Sequence, residues 1–170
     1  DVERGIIEDA RQAILRCDVM PSMRALMTAG EAADQNNIAV YNCAYTPIDK
    51  PLRLSEILLI LMHGTGVGFS VERRETEKLP VVPVLTEAVD PIHVEDSRGG
   101  WADAYRHLID SLYSGVIRRF DVSDVRPHGT PLKTFGGRAS GPEPLLDLWQ
   151  FTVDTFEHAR LRRLKPIELH

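Results

Sequence analysis

"YNCAYTPIDKPLRLSEILLILMHGTGVGFSV", residues 41–71, decides the fold. Its opening continues "NNIAV", so that Ala39, Tyr41, Cys43 and Tyr45 alternate onto one face of a predicted buried strand. "LRLSEILLILMH" then reads as a helix that Asp49 could cap and that Gly64 closes. A second strand, "GVGFSVERR", puts Gly66, Gly68 and Ser70 on one face and Val67, Phe69 and Val71 on the other. Strand, helix and strand in such close succession begin an α/β alternation.

Working outward, residues 2–17 carry Ile6, Ala10, Ile14 and Cys17 at helical spacing, with Pro21 as the stop, and Cys17 is expected in the core. "MPSMRALMTAG" follows as a loop or short turn region. Downstream, the proline-bearing stretch "ETEKLPVVPVLTEAVDPIHVEDS" is expected to be a connector with short extended pieces at most. Ser97, Gly99 and Gly100 open a further helix with Trp101, Tyr105, Leu108 and Leu112 on one face. "VIRRFDVSDV" reads as a third strand. A Gly/Pro-rich loop leads from it to a last helix bearing Leu145, Trp149, Val153 and Phe156. This alternation predicts an α/β fold with a largely parallel sheet and its helices packed outside. Three strands and four helices need neighbours, which suits a segment of a larger α/β barrel.

Composition bounds the rest. With 170 residues, 43% hydrophobic and 26% charged, the chain has the makings of one globular domain. A net charge of −5 supplies no basic field for a nucleic-acid backbone, so no nucleic-acid partner is expected. "ILLILM" is far too short to span a bilayer, no signal-peptide pattern is present, and no membrane partner is expected. Two cysteines form no secreted disulfide framework, so a reducing, cytoplasmic setting is expected. The opening on Asp1 within a helical pattern and the close on "KPIELH" suggest a piece of a longer chain.

Three features could carry chemistry. The glycine face of "GVGFS" leaves backbone bare, either for close approach of a ligand or as a helix cap running into a strand bend. "RPHGTPLKTFGGRASGP" has four glycines and three prolines, with Lys133 and Arg138 as cations. It suits an anionic ligand such as a nucleotide, or is a solvated loop. Cys43 is either a small core hydrophobe or a working thiol. The six histidines are scattered, with no H-x-x-x-H and no C-x-x-C, so no metal site is expected.

Taken together and in this order, "MPSMRALMTAG", "NNIAVYNCAY", "GTGVGFSVERR", "VEDSRGGWADAYRHLIDSLYSG" and "RPHGTPLKTFGGRASGPEPLLDLWQ" resemble the catalytic subunit of ribonucleotide reductase, most closely the adenosylcobalamin-dependent (class II) type. The resemblance implies roughly the first half of a ten-stranded α/β barrel. Residues 1–38 would form an N-terminal helix and substrate-side loop, and 39–170 the half barrel with a specificity loop at about 127–141. It implies that Cys43 is one of two reducing thiols, its partner lying in the missing C-terminal half of the barrel. Cys17 matches neither that partner nor the radical cysteine. Ser22, Asn42, Gly66 and Gly68 would then bind the ribonucleotide substrate. Asp49, Lys133, Gly136, Gly137 and Arg138 would sense a deoxynucleotide or ATP effector. Adenosylcobalamin is the implied cofactor and a thioredoxin-like dithiol the implied reductant; the fragment itself would be inactive. The metal-dependent (class I) large subunit and a non-catalytic nucleotide-binding module are the alternatives.

Overall fold

The computed structural model describes residues 2–132 and 137–170, and its backbone divides into two compact units, 1–42 and 43–170. The first holds α1 (Val2–Leu15), α2 (Met23–Thr28), α3 (Glu31–Gln35) and a 3-10 turn (Asn37–Val40). Here two expectations are corrected. Residues 37–40 are not strand: the Asn36 side chain accepts the Ile38 N–H at 2.9 Å and winds the backbone into the turn. Cys17 is not core. It lies beyond the last turn of α1 in a left-handed conformation (φ 60°) and is exposed, and no residue of α1 is buried.

The second unit begins with β1 (Cys43–Pro47), α4 (Leu52–Met62) and β2 (Gly66–Ser70). The two strands are parallel, in the register Cys43 to Gly66 and Tyr45 to Gly68, with α4 packed against both. Asp49 does not cap α4, whose N-cap position is Pro51. Its carboxylate instead accepts from Arg53 Nε at 3.2 Å, one turn into the helix. Gly64, at φ 77°, takes the left-handed step that ends α4 and releases the chain into β2.

The expected second strand stops at Ser70 and its tail turns into α5 (Arg73–Thr76), while the stretch expected as a connector contains β3 (Thr86–Glu87) and β4 (Ile92–His93). After α6 (Arg98–Tyr113) come β5 (Val116–Ile117) and β6 (Phe120–Asp121), which pair in parallel with β3 and β4 respectively. The expected third strand is therefore split, for a reason that lies in its partner. Thr86, Ala88, Ile92 and Val94 donate in turn to the carbonyls of Gly115, Ile117, Arg119 and Asp121. The ladder keeps step on one side while Val89, Asp90 and Pro91 bulge out on the other, with Pro91 unable to donate. Val89 is fully exposed, and Asp90 holds Arg118 across the bulge at 3.0 Å.

α6 is the pillar of the core. Ser97 Oγ caps it by accepting the Gly100 N–H at 2.9 Å, as its sequence position suggests. Its Ala104, Tyr105, Leu108, Ile109 and Leu112 meet Leu145, Val153 and Phe156 of α7 (Glu143–His158), together with Val82, Val94, Ile117 and Phe120. Two polar side chains of the core are tied in: Tyr105 Oη and Thr152 Oγ1 lie 3.1 Å apart, and Trp149 Nε1 donates to the Arg118 carbonyl at 2.7 Å. α8 (Pro166–Leu169) follows the turn after α7. No described helix is long and apolar enough to cross a membrane.

Candidate functional site

β1 and β2 expose one face and cover the other. Ala44, Thr46, Val67 and Phe69 are half-buried, whereas Cys43, Tyr45, Gly66 and Gly68 are exposed. The alternation of side chains along a strand, combined with the parallel register, places these four on one surface. Cys43 is thus an exposed thiol at the start of β1, where the sequence alone suggested a buried strand. Gly66 beside it contributes no side chain. Tyr45, which sequence reasoning placed on the strand face without giving it a role, lies across Gly68: a Cβ built there would sit 3.8 Å from Tyr45 Cδ2. Gly68 does not have a positive φ, and nothing crowds its missing side chain. Its backbone does not require glycine. The bare face is a property of the surface, suited to a ligand that lies flat against main chain.

Asn42, immediately before Cys43, is exposed. Ser22 is exposed and its hydroxyl accepts the Ala25 N–H at 3.0 Å, so it caps α2. Both belong to the first compact unit. Asp49 is half-buried. Burial pushes its carboxyl up, but the Arg53 hydrogen bond and charge, with Lys50 nearby, outweigh this and hold it below the ordinary aspartate range.

The Gly/Pro-rich loop is a hairpin where it is described. Gly129 and Ala139 N–H donate to the carbonyls of Ala139 and Thr130 at 2.9 and 2.8 Å, and Leu132 N–H donates to Gly137 at 3.0 Å. Gly129, Gly137 and Gly141 all have φ near +80° (85°, 84° and 78°), which side-chain-bearing residues resist. Arg138 is exposed and gives one N–H to the Gly129 carbonyl at 2.9 Å. Lys133 and Gly136 lie outside the described residues. No cluster able to hold a metal ion occurs among the described residues.

Comparison with known proteins relates the chain to one enzyme family. Residues 82–155 match the family model for the insertion domain of B12-dependent ribonucleotide reductase. A putative adenosylcobalamin-dependent ribonucleoside-triphosphate reductase of Mycobacterium phage D29 is 33% identical over 83% of this chain and 25% of its own length. The adenosylcobalamin-dependent ribonucleoside-triphosphate reductase of Euglena gracilis is 31% identical over 83% of this chain and 20% of its own. The chain thus spans a quarter or less of these relatives. A crystal structure of a B12-dependent (class II) ribonucleotide reductase shares the fold, with a TM-score of 0.81 at 22% identity over 92% of this chain and 30% of that one.

Proposed function

Because the chain belongs, as a part-length member, to the B12-dependent (class II) ribonucleotide reductase family, we propose that it supplies one reducing thiol and part of the substrate face of an enzyme that converts ribonucleotides to 2′-deoxyribonucleotides. The observation that carries this reading is the exposed Cys43 thiol on a two-strand surface otherwise bare but for Tyr45. A ribose can approach main chain there, and the thiol stands at its margin. The family model and relatives are B12-dependent, which sets aside the metal-dependent class.

Reduction of the ribose needs two electrons. Cys43 and a second thiol outside this chain give up two electrons and two protons, the 2′-hydroxyl leaves as water, and the two sulfurs join. A thioredoxin-like dithiol then resets the disulfide by exchange. Adenosylcobalamin, when bound, would supply the initiating radical. The clefts lined by Arg73, Thr76 and Leu164 and by Glu87, Arg119 and Trp149 do not include Cys43, and no step is assigned through the cofactor. Ser22 and Asn42 are the further substrate contacts in this reading. The 127–141 loop, with Asp49, Lys133, Gly136, Gly137 and Arg138, is the effector-sensing element in this reading. Its effect on catalysis requires that the effector favour one loop state over another, a coupling of about 1–3 kcal/mol in typical cases. The strands of residues 43–121 would form part of the first half of a ten-stranded barrel working in the cytoplasm.

Cys43→Ser in the full-length reductase tests the assignment. Turnover with a dithiol reductant should vanish while effector-nucleotide binding persists. Retained turnover would exclude Cys43 as a reductant and favour a nucleotide-binding role for this region.

A further inference from the structure

Resting on the reading above, we propose that Arg162 and Glu168 are positioning residues, their ion pair acting as a strut that braces the back of β2 and so keeps the Cys43 face in register. The strut begins in the core. After α7 the chain turns through Leu161, whose φ of 63° is unusual for a branched residue. The turn is stapled to the segment before β3: Leu161 N–H donates to the Val82 carbonyl at 2.8 Å, Val82 N–H to the Arg162 carbonyl at 2.9 Å, and Arg163 Nε to the Leu79 carbonyl at 2.9 Å. Val82 and Leu79 are buried, so this anchor is rigid.

From it Arg162 extends a two-pronged guanidinium. Nη1 and Nη2 reach the two carboxylate oxygens of Glu168 at 2.7 and 2.6 Å, and Nη2 also donates to the His158 carbonyl at the end of α7 at 2.9 Å. Glu168 accepts the Lys165 N–H at 2.8 Å as well, so one carboxylate ties α8 to its N-cap and to the turn before it. Such paired, charge-assisted bonds define direction as well as distance. The residue after α8, His170, then lies against Phe69, with ring centroids 5.7 Å apart. Phe69 belongs to β2, between Gly68 and Ser70, with its side chain on the face opposite the glycines. β2 pairs with only one strand among the described residues, so contacts behind it bear on its position. The route is thus continuous from the core, through the Arg162 fork and α8, to the back of the strand whose front is bare.

Three variants of the full-length reductase test the brace. Arg162→Lys keeps a cation without the fork, Glu168→Gln keeps the shape without the charge, and Phe69→Leu removes the ring contact while leaving the ion pair. Hydrogen exchange read by mass spectrometry should show amides of residues 66–70 exchanging about tenfold faster in each, with the α6 amides unchanged. The KM for ribonucleotide should rise about fivefold, more than kcat falls, because the substrate face is loosened while Cys43 is retained. Equal acceleration in α6 and β2 would show an ordinary global stabiliser, and unchanged exchange at 66–70 would show no brace; either overturns the proposal. If the parent enzyme reduced no ribonucleotide, the functional reading would fall, yet the exchange pattern would still decide whether the strut exists.

Discussion

Replacing Gly68 by alanine separates fold from function at the bare face. The added Cβ would sit 3.8 Å from Tyr45 Cδ2 and 3.9 Å from the Ala44 carbonyl, ordinary van der Waals separations, and the backbone is not left-handed. The fold therefore accepts the methyl. Glycine in a strand costs about 0.5–1 kcal/mol relative to alanine through lost chain entropy, so Gly68→Ala should stabilise by that amount. In the full-length reductase, several times longer than this chain, that corresponds to a rise in Tm of about 1 °C or less. The same methyl stands on the surface where the nucleotide is proposed to rest. One misplaced methyl group in a binding surface typically costs about 1–3 kcal/mol, so kcat/KM of the full-length reductase should fall about 10- to 200-fold. Thermal melting and steady-state reduction of ribonucleotides, run on the same preparation, give both numbers. A variant with raised Tm and unchanged kcat/KM would refute the idea that substrate approaches Gly68. A marked fall in Tm would refute the claim that the strand tolerates a side chain there.

Gly100→Ala should behave in the opposite way. Its Cβ would fall 2.5 Å from Glu95 Cβ and 2.7 Å from the Glu95 carbonyl, and the overpacking should cost about 1–3 kcal/mol of stability, read by chemical denaturation. Tyr113 buries its hydroxyl without a hydrogen-bond partner among the described residues, and burial pushes the phenol pKa up. Tyr113→Phe should therefore leave stability unchanged or raise it by about 1 kcal/mol, and a clear loss would reveal a partner for that hydroxyl. The Arg162 hydrogen bond holds the Glu168 carboxyl at about 2, below its ordinary value of 4.5. The stabilisation it gives to α8 and the back of β2 is full above pH 4.5 and is lost as pH falls toward 2. Glu168→Gln should remove that acid sensitivity from hydrogen exchange at residues 66–70.

The sequence made the framework legible where local chemistry and periodicity agreed. Ser97 announced the start of α6, Gly64 the end of α4, and the spacing of Leu145, Trp149, Val153 and Phe156 the inward face of α7. The strand–helix–strand order of residues 41–71 led directly to the parallel pairing of β1 and β2. The misreadings share a cause, which is local hydrogen bonding that no apolar pattern records. Asn36 turned "NIAV" from strand into a 3-10 turn, and a left-handed step put Cys17 past its helix. The pairing of residues 86–94 with 115–121 was hidden by the Val89–Pro91 bulge, because short strands interrupted by proline leave little periodicity. At the site, alternation along "GVGFS" showed the bare glycine face, but the exposure of Cys43 was not legible. It follows from which face of the β1–β2 pair is left uncovered, and only the fold decides that.

The most direct test of the account is a single turnover of the pre-reduced full-length reductase, with adenosylcobalamin and ribonucleotide but no external dithiol. Quenching, alkylation and peptide mapping then report the state of each cysteine. The account predicts about one deoxyribonucleotide per active site, with Cys43 converted in step to a disulfide with a cysteine beyond residue 170 and Cys17 still free to alkylate. Deoxyribonucleotide formed while Cys43 remains a free thiol would contradict it.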